Sequence, residues 1–416
     1  MGVSKPSVAV VGAGAAGLVA SIFAASQGTD VLLLERTADG GRKILISGGG
    51  RCNILPSALA PERFVTDSAA HLMRGMLRAW PLHEQRAFFE RDVGIPLALE
   101  AGSGKLFPLS NRARDVRDGL LACARSRGVR VRFDTAVNGL DRSDNGWTLL
   151  TSSGLIPAER IVLATGGLSV PTTGSDGTGL KVAAGLGHRM IPTYPALTPL
   201  LGDADASHGH QTLAGVSLNV RLRARVGTRT IETTGGFLFT HRGYSGPAVL
   251  DISHVITHPP HLRTPAPPHL PHPVIRVQWS PLDANAWTRE FDAPSATMAT
   301  LLGRHLPSRL AEHLMREAGL PDDRRTSGLR RAERTALIER LTAYSLPWTG
   351  DEGYRNAEVT GGGVALDEVD SRTLESRRRP GLFLCGEMLD AFGPIGGHNF
   401  AWAWATGRAA GLAAGG

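Results

Sequence analysis

The stretch Ser7–Arg36 constrains this chain more than any other. It opens with a short apolar run, Val8–Val11, that has the composition of a buried parallel strand. The run ends in Gly12-Ala13-Gly14-Ala15-Ala16-Gly17, a G-x-G-x-x-G turn. Gly12 permits the tight turn, Gly14 lets the backbone come close to a pyrophosphate, and Gly17 lets a helix lie against the strand. The helix expected over Ala15–Gln27 points its first N–H groups at the phosphates. A second apolar strand, Val31–Leu34, delivers Glu35 and Arg36, and a carboxylate about twenty residues past the glycines accepts a ribose hydroxyl. An ordinary βαβ unit with a glycine-rich turn needs neither the three glycines in this register nor the acid. The unit is therefore read as the seat of an adenine dinucleotide.

A chain of 416 residues has room for two or three domains with a sizeable core. Its formal net charge of +7 invites an anionic partner, RNA among them. Lysine is confined to Lys5, Lys43, Lys105 and Lys181, so the basic charge is almost all arginine, which genomic base composition also produces. Cys52, Cys123 and Cys385 form neither a Cys-x-x-Cys pair nor a zinc spacing. That argues against a dithiol redox enzyme and fits a reducing compartment; the expected location is cytoplasmic. No secretory signal is expected at the start. The apolar Val8–Ala25 region is broken by glycines and is not a membrane span.

A glycine-rich run follows the dinucleotide unit: Gly40-Gly41-Arg42-Lys43, then Ser47-Gly48-Gly49-Gly50-Arg51-Cys52-Asn53. Consecutive glycines expose backbone N–H groups that form an anion-binding nest, to which Arg42 and Arg51 add charge. Arg160–Leu163 reads as a strand feeding Ala164-Thr165-Gly166-Gly167. Val359–Val364, with Gly362 at its centre, reads as a flexible glycine turn. Near the end, Gly381–Glu387 reads as a buried strand closing in Gly386-Glu387. Gly396-Gly397-His398-Asn399 then leads into a helix over Phe400–Leu412. Glu387 suits the ribityl hydroxyls of a flavin, and the positive end of the last helix suits negative charge on the reduced ring. A nicotinamide enzyme keeps its fingerprint in one contiguous half. Glycine-lined segments at both ends call for one long ligand, FAD. No second G-x-G-x-x-G follows a strand, so NAD(P)H is expected as a transient donor without a domain of its own.

The runs Gly41–Asn53, Thr240-His241-Arg242-Gly243-Tyr244-Ser245-Gly246-Pro247 and Gly396-Gly397-His398-Asn399-Phe400-Ala401-Trp402-Ala403-Trp404 resemble motifs of the BaiN/YhiN-type flavoproteins, also called aminoacetone-oxidase-like FAD-dependent oxidoreductases. The resemblance reaches both termini and parts of the middle. It implies that the Gly41–Asn53 loop follows the FAD pyrophosphate toward the isoalloxazine. It also implies that the backbone at Ala136–Val137 meets the adenine, and that the segment around Asp176 belongs to the FAD domain. His398 stands where the family often has tyrosine. The activities implied range from oxidation of small amines to reduction of a carbon–carbon double bond, including one in a ribosomal RNA pyrimidine.

The expected fold is α/β: a Rossmann-like, glutathione-reductase-type FAD domain with an inserted β-barrel and a small helical subdomain. Residues 1–193 plus 351–416 make the split FAD domain, 194–295 the barrel and 296–350 the helices. Short β-type runs at Leu218–Val226, Thr230–Thr233, Gly236–Phe239, Ala248–Ile252 and Val274–Trp279 suggest the barrel. Leu301–Leu320 and Gly328–Ala343 read as amphipathic helices, and Ala113–Arg127 as a helix capped by Ser110 or Asn111. His254–Pro273, rich in proline and histidine, reads as a loop whose prolines splay metal ligands apart; no metal site is expected. Flavin chemistry needs one proton handled beside the hydride, and the candidates are His398, His241 and Cys52. The expected function is hydride transfer through flavin N5 to or from a small organic substrate. The alternatives are reduction of a pyrimidine in ribosomal RNA and a flavin-binding module without turnover.

Overall fold

The computed structural model describes residues 5–143, 146–202, 209–226, 229–258, 273–292, 296–321 and 323–416. The chain divides into two compact units, Met1–Tyr194 with Glu358–Gly416, and Pro195–Ala357.

The first unit is built on a five-stranded parallel sheet, ordered Leu382–Leu384, Arg160–Leu163, Val8–Val11, Val31–Leu34, Arg130–Arg132. The strand from the C-terminal segment thus pairs beside one from the middle of the chain, two places from the first strand. Val8–Val11 and Val31–Leu34 are buried throughout, as a sheet covered on both faces requires. One layer over the sheet pairs two helices far apart in sequence, Ala15–Ala25 and His398–Gly415.

A glycine row sets that pairing. A Cβ on Gly407 would stand 2.5 Å from the carbonyl oxygen of Ala16, one on Gly411 2.3 Å from that of Ala20, and one on Gly415 2.6 Å from that of Ala24. Glycines four residues apart share one helix face, and so do the alanines they meet. The backbones therefore touch, and both registers rise together, so the helices run parallel. Two further antiparallel sheets complete this unit. Leu55–Pro56, Lys105–Pro108 and Leu97–Glu100 form one, and Val137–Ser143, Gly146–Thr151 and Gly154–Ala158 form a meander.

The second unit has a seven-stranded antiparallel sheet ordered Tyr344–Ser345, Ile275–Gln278, Ser217–Val226, Arg229–Phe239, Gly243–Ser245, Leu200–Gly202, Trp348–Asp351. Its two edge strands are separated in the chain only by Leu346 and Pro347. Three virtual bonds span at most roughly 11 Å, so the sheet curls until its edges nearly meet. The barrel is closed by the chain, with a seam in the hydrogen-bond ladder.

The helices do not form a separate body. Trp279, Phe237 and Phe239 of the sheet share one core with Trp287, Leu301, Leu310, Leu314 and Leu341 of the helices. A boundary at 295/296 would cut through that core, and this unit runs to Ala357 rather than 350.

Several local expectations change. Ala248–Ile252 is not a strand: Pro247 opens a helix over Pro247–Ile252, and a short apolar run carries no period to tell the two apart. Leu301–Leu320 is two helices, Met298–Leu302 and Ser308–Glu317, parted by Pro307. The helix Ala113–Ser126 starts at Arg112 without a side-chain cap. Val359–Val364 is a fully buried strand. Its glycines serve close approach: a Cβ on Gly361 would meet the Tyr194 ring at 2.3 Å, and one on Gly362 the carbonyl oxygen of Pro192 at 2.3 Å. Of the histidine- and proline-rich stretch, His254–Thr257 is helical, and 259–272 lies outside the described residues.

Candidate functional site

The three fingerprint glycines divide into two kinds. A Cβ on Gly12 would meet the carbonyl oxygen of Ala164 at 2.6 Å, and one on Gly17 would meet the carbonyl oxygen of Gly12 at 1.8 Å. Beside Gly14 there is no atom within 4 Å of that position. Two glycines thus close the strand, turn and helix on each other, and the middle one faces open space. Gly49 and Gly50 face open space in the same way, while Gly48 packs on Phe107 and the backbone of Asn53. The helix beginning at Ala15 has no side-chain cap, and neither has the one beginning at His398. From the pairing of Gly407 with Ala16, the N-terminus of the last helix projects roughly 12 Å beyond that of the first, against the shared chain direction. Two positive helix ends, set one beyond the other, face the same way.

Two carboxylates brace this cradle. Glu35 Oε2 accepts the Ala13 N–H at 2.8 Å, and Oε1 accepts the N–H and hydroxyl of Thr37, both at 2.8 Å. Glu387 Oε1 accepts from Ser169 Oγ at 2.7 Å and from the Thr360 N–H at 3.0 Å, and Oε2 accepts from Lys43 Nζ at 2.7 Å. Lys43 also donates to Ser169 Oγ at 2.7 Å. Each acid uses one oxygen fully and keeps an acceptor position on Oε2. The network joins Lys43, the Gly166–Gly167 turn and the Gly386–Glu387 turn. A Cβ on Gly167 would fall 2.3 Å from Thr360 Oγ1. Ser169 and Thr360 carry no motif, and only their adjacency to glycine turns marked them in the sequence.

Several expected contributors are engaged by the protein itself. Arg42 pairs with Asp39, Arg36 with Asp176, and Arg51 with Glu100 while lying 4.1 Å over the Phe107 ring. Each is paired with a neighbouring acid, which offsets part of the charge it presents. The Asn399 side chain closes on the Gly393 backbone, accepting at 2.8 Å and donating at 2.9 Å, so it shapes the loop around Gly396 and Gly397. Ala136 exchanges hydrogen bonds with Ser152 through both polar backbone atoms. Ala136 and Val137 lie one step from Glu35, because the Thr135 N–H donates to the Glu35 carbonyl at 2.8 Å. Ala16 packs against Gly386, Thr165 donates to the Met388 sulfur, and Ser47 donates to the Ile44 carbonyl. Phe400 stacks on Trp404 at 5.2 Å, and Trp404 Nε1 donates to the Ile54 carbonyl, tying the last helix to the Cys52–Asn53 segment.

Of the proton candidates, Cys52 is removed. It is completely enclosed, at a positive φ of 61°, and burial pushes its thiol up to about 12. Cys385 is likewise enclosed and raised to about 12 by burial. His398 is 7% exposed, edge-on to Phe64; burial, with Arg63 nearby, holds its imidazole down to about 4, so the ring is neutral at pH 7. His241 is exposed and belongs to the second unit, where it lines a cleft of about 310 Å³ with His210, Tyr244 and Thr349.

The His398 shift has a measurable consequence. Its folded value lies below the ordinary 6.5, so the unfolded chain takes up the proton first as pH falls. Stability from this group is full above pH 6.5 and is lost toward pH 4, by at most roughly 3 kcal/mol. In chemical denaturation between pH 7 and 4, His398→Gln is expected to show a shallower acid limb than the parent. Identical limbs would mean the imidazole is not held neutral.

The Asn53 amide supplies the remaining observation. Its Oδ1 is buried, has no hydrogen-bond partner among the described residues, and lies about where a Cβ on Gly397 would reach it, at 3.0 Å. An open glycine cradle, two uncapped helix ends and an orphaned acceptor fit a long, partly anionic cofactor with donor groups. Comparison with known families decides which one: residues 6–413 match the HI0933-like protein Rossmann domain. The chain belongs to that family, and it is an FAD-dependent oxidoreductase.

The chain is 34% identical over 401 residues to the ribosomal RNA dihydrouridine synthase of Escherichia coli strain K12, covering 95% of each. It is 32% identical over 416 residues to the 3-dehydro-bile acid delta(4,6)-reductase of Clostridium scindens, covering 98% of each. Among solved structures, the 3-ketosteroid delta1-dehydrogenase of Sterolibacterium denitrificans superposes with a TM-score of 0.53 at 12% identity, covering 99% of this chain and all of that one. That likeness concerns the fold. No helix among the described residues is long and apolar enough to cross a membrane.

Proposed function

We propose that this flavoenzyme reduces an activated carbon–carbon double bond, and that its substrate is a pyrimidine in ribosomal RNA. The carrying observation is the similarity, over 95% of both chains, to a ribosomal RNA dihydrouridine synthase. A second relative of comparable identity is named for reduction of a double bond in a bile acid. Bound FAD supplies hydride at N5 after two-electron reduction by a nicotinamide donor, NAD(P)H. The chain's part is to hold the cofactor between Gly14, Gly49, Gly50 and Asn53, with Glu35 and Glu387 at the hydroxyls. The neutral His398 at the last helix's start bounds the site as a hydrogen-bonding group. A proton completes the reduction at the carbon beside the one that takes the hydride.

An arginine face supports RNA over a small substrate. Arg221, Arg223 and Arg225 alternate along Ser217–Val226, all exposed, and Arg276 stands opposite Arg223 in register. Among the described residues Glu232 pairs with both Arg221 and Arg223, so one acid serves two arginines of that face. A sheet that buries alternate residues and exposes arginine between them presents a row of phosphate partners.

The test uses the yellow holoenzyme under anaerobic conditions. NADPH is expected to bleach the flavin, and unmodified ribosomal RNA to restore its colour while pyrimidine absorbance falls. Reoxidation by a cyclic enone and not by RNA would give the second reading, a small-molecule reductase, in its place. Changing Arg221, Arg225 and Arg276 to alanine should weaken RNA binding alike for all sequences. The slope of log K against log salt should fall by roughly 0.7–0.9 per lost contact.

A further inference from the structure

We propose that the second unit carries a site for one divalent zinc-class cation, formed by His210, His313 and Glu317. His313 and Glu317 lie four residues apart on Ser308–Glu317 and therefore on one face. His210 opens a short turn, His210–Leu213, and its ring centroid stands 4.9 Å from that of His313. One ligand atom from each of the three residues lies within 4.8 Å of the others. Two imidazoles and a carboxylate are a donor set that zinc takes, with the fourth position left for another ligand.

Three observations point to a cation here. First, His313 is 4% exposed, and neither of its ring nitrogens makes a hydrogen bond among the described residues. Its Nε2 is 3.4 Å from Glu317 Oε1, a separation suited to two ligands of one ion.

Second, the outer nitrogen of His210 has a polar partner: Nδ1 lies 2.7 Å from the Tyr244 hydroxyl, which donates to the Pro347 carbonyl at 2.9 Å. An oxygen on the outer nitrogen is the arrangement in which a metal-bound histidine is held.

Third, one hydroxyl proton faces two acceptors. Tyr344 stands 2.9 Å from His210 Nε2 and 3.1 Å from Glu317 Oε1. A metal ion, or a proton on His210 or Glu317, relieves that competition. The metal also engages the undonated pair on His313, which a proton on either neighbour leaves idle. His210 and Tyr244 also line the 310 Å³ cleft, which gives an ion and its fourth ligand a way in.

The test is zinc titration of the full-length flavin-loaded protein, first stripped with EDTA and dialysed, against a chromophoric chelator. One zinc ion per chain is expected at sub-micromolar affinity. His313→Ala and Glu317→Gln should each weaken it at least tenfold, and Tyr244→Phe roughly tenfold through loss of the outer partner. Weak uptake by the histidines at 258, 261, 269 and 272 is separable, since none of these variants alters it. Glu317→Gln keeps the side-chain shape, and its flavin absorbance and circular dichroism report whether it folds. No stoichiometric zinc in the parent, or equal affinity in folded Glu317→Gln and His313→Ala, would overturn the site and leave a proton as the bridging charge.

Discussion

Gly17→Ala is expected to purify colourless. The added methyl would lie 1.8 Å from the carbonyl oxygen of Gly12 and 3.2 Å from the Ala164 side chain. Both obstacles belong to the first turn and the neighbouring strand, so the helix must lift off the sheet. Overpacking of this kind costs about 1–3 kcal/mol. The lift also moves the N–H groups of Ala15 and Ala16 that serve the phosphates. Flavin absorbance per chain should drop below about a tenth of the parent's, a loss of more than 1.4 kcal/mol in cofactor binding. Gly14→Ala provides the contrast. Its methyl meets no atom of the chain, so the melting of flavin-free protein should stay within about 0.5 kcal/mol of the parent. FAD affinity should fall nonetheless, because the methyl takes the space through which the pyrophosphate approaches. If Gly14→Ala retained full affinity, the cradle would not be where the phosphates lie.

Gly411→Val should destabilise the first unit by about 3 kcal/mol, lowering its melting temperature by roughly 6–12 °C. The valine Cβ would fall 2.3 Å from the Ala20 carbonyl oxygen, in the middle of the contact between Ala15–Ala25 and His398–Gly415. Backbone on both sides leaves no flexible side chain to move aside. Because the last helix also carries Trp402 and Trp404, bonded to the Gly386 and Ile54 carbonyls, its displacement loosens both glycine turns at once. Flavin should be lost together with stability. Leu412→Ala, one residue on and only partly buried, is the control and should cost little. Differential scanning of the two variants, with flavin absorbance, separates a packing contact from general intolerance of this helix.

Both predictions rest on the part of the molecule that local patterning describes best. The strand, glycine turn, helix, strand and acid at Val8–Glu35 form one short-range unit, with every requirement met by neighbours in the chain. The closing unit, a strand, Gly386-Glu387 and a glycine-led helix, was legible for the same reason. The row Gly407, Gly411, Gly415 facing Ala16, Ala20, Ala24 was present in the letters as matched four-residue spacings. Either set alone is equally consistent with an ordinary small-residue helix face.

What the amino-acid order determined by itself was therefore the existence and kind of each local element, and the demand that two glycine-lined segments share one long cofactor. Turn geometry and helix ends depend on residues a few positions apart, which is why that much could be read. Only the tertiary structure decided which charges are paired. Arg42 and Arg51 read as charges at an anion nest, and Asp39 and Glu100 lie against them, as Asp176 does against Arg36. It also decided that Cys52 is sealed from solvent, that Ala248–Ile252 coils, and that His210 meets His313 and Glu317 across more than a hundred residues. Desolvation and pairing act over distances in space, and folding brings together side chains whose separation along the chain carries no trace of their contact.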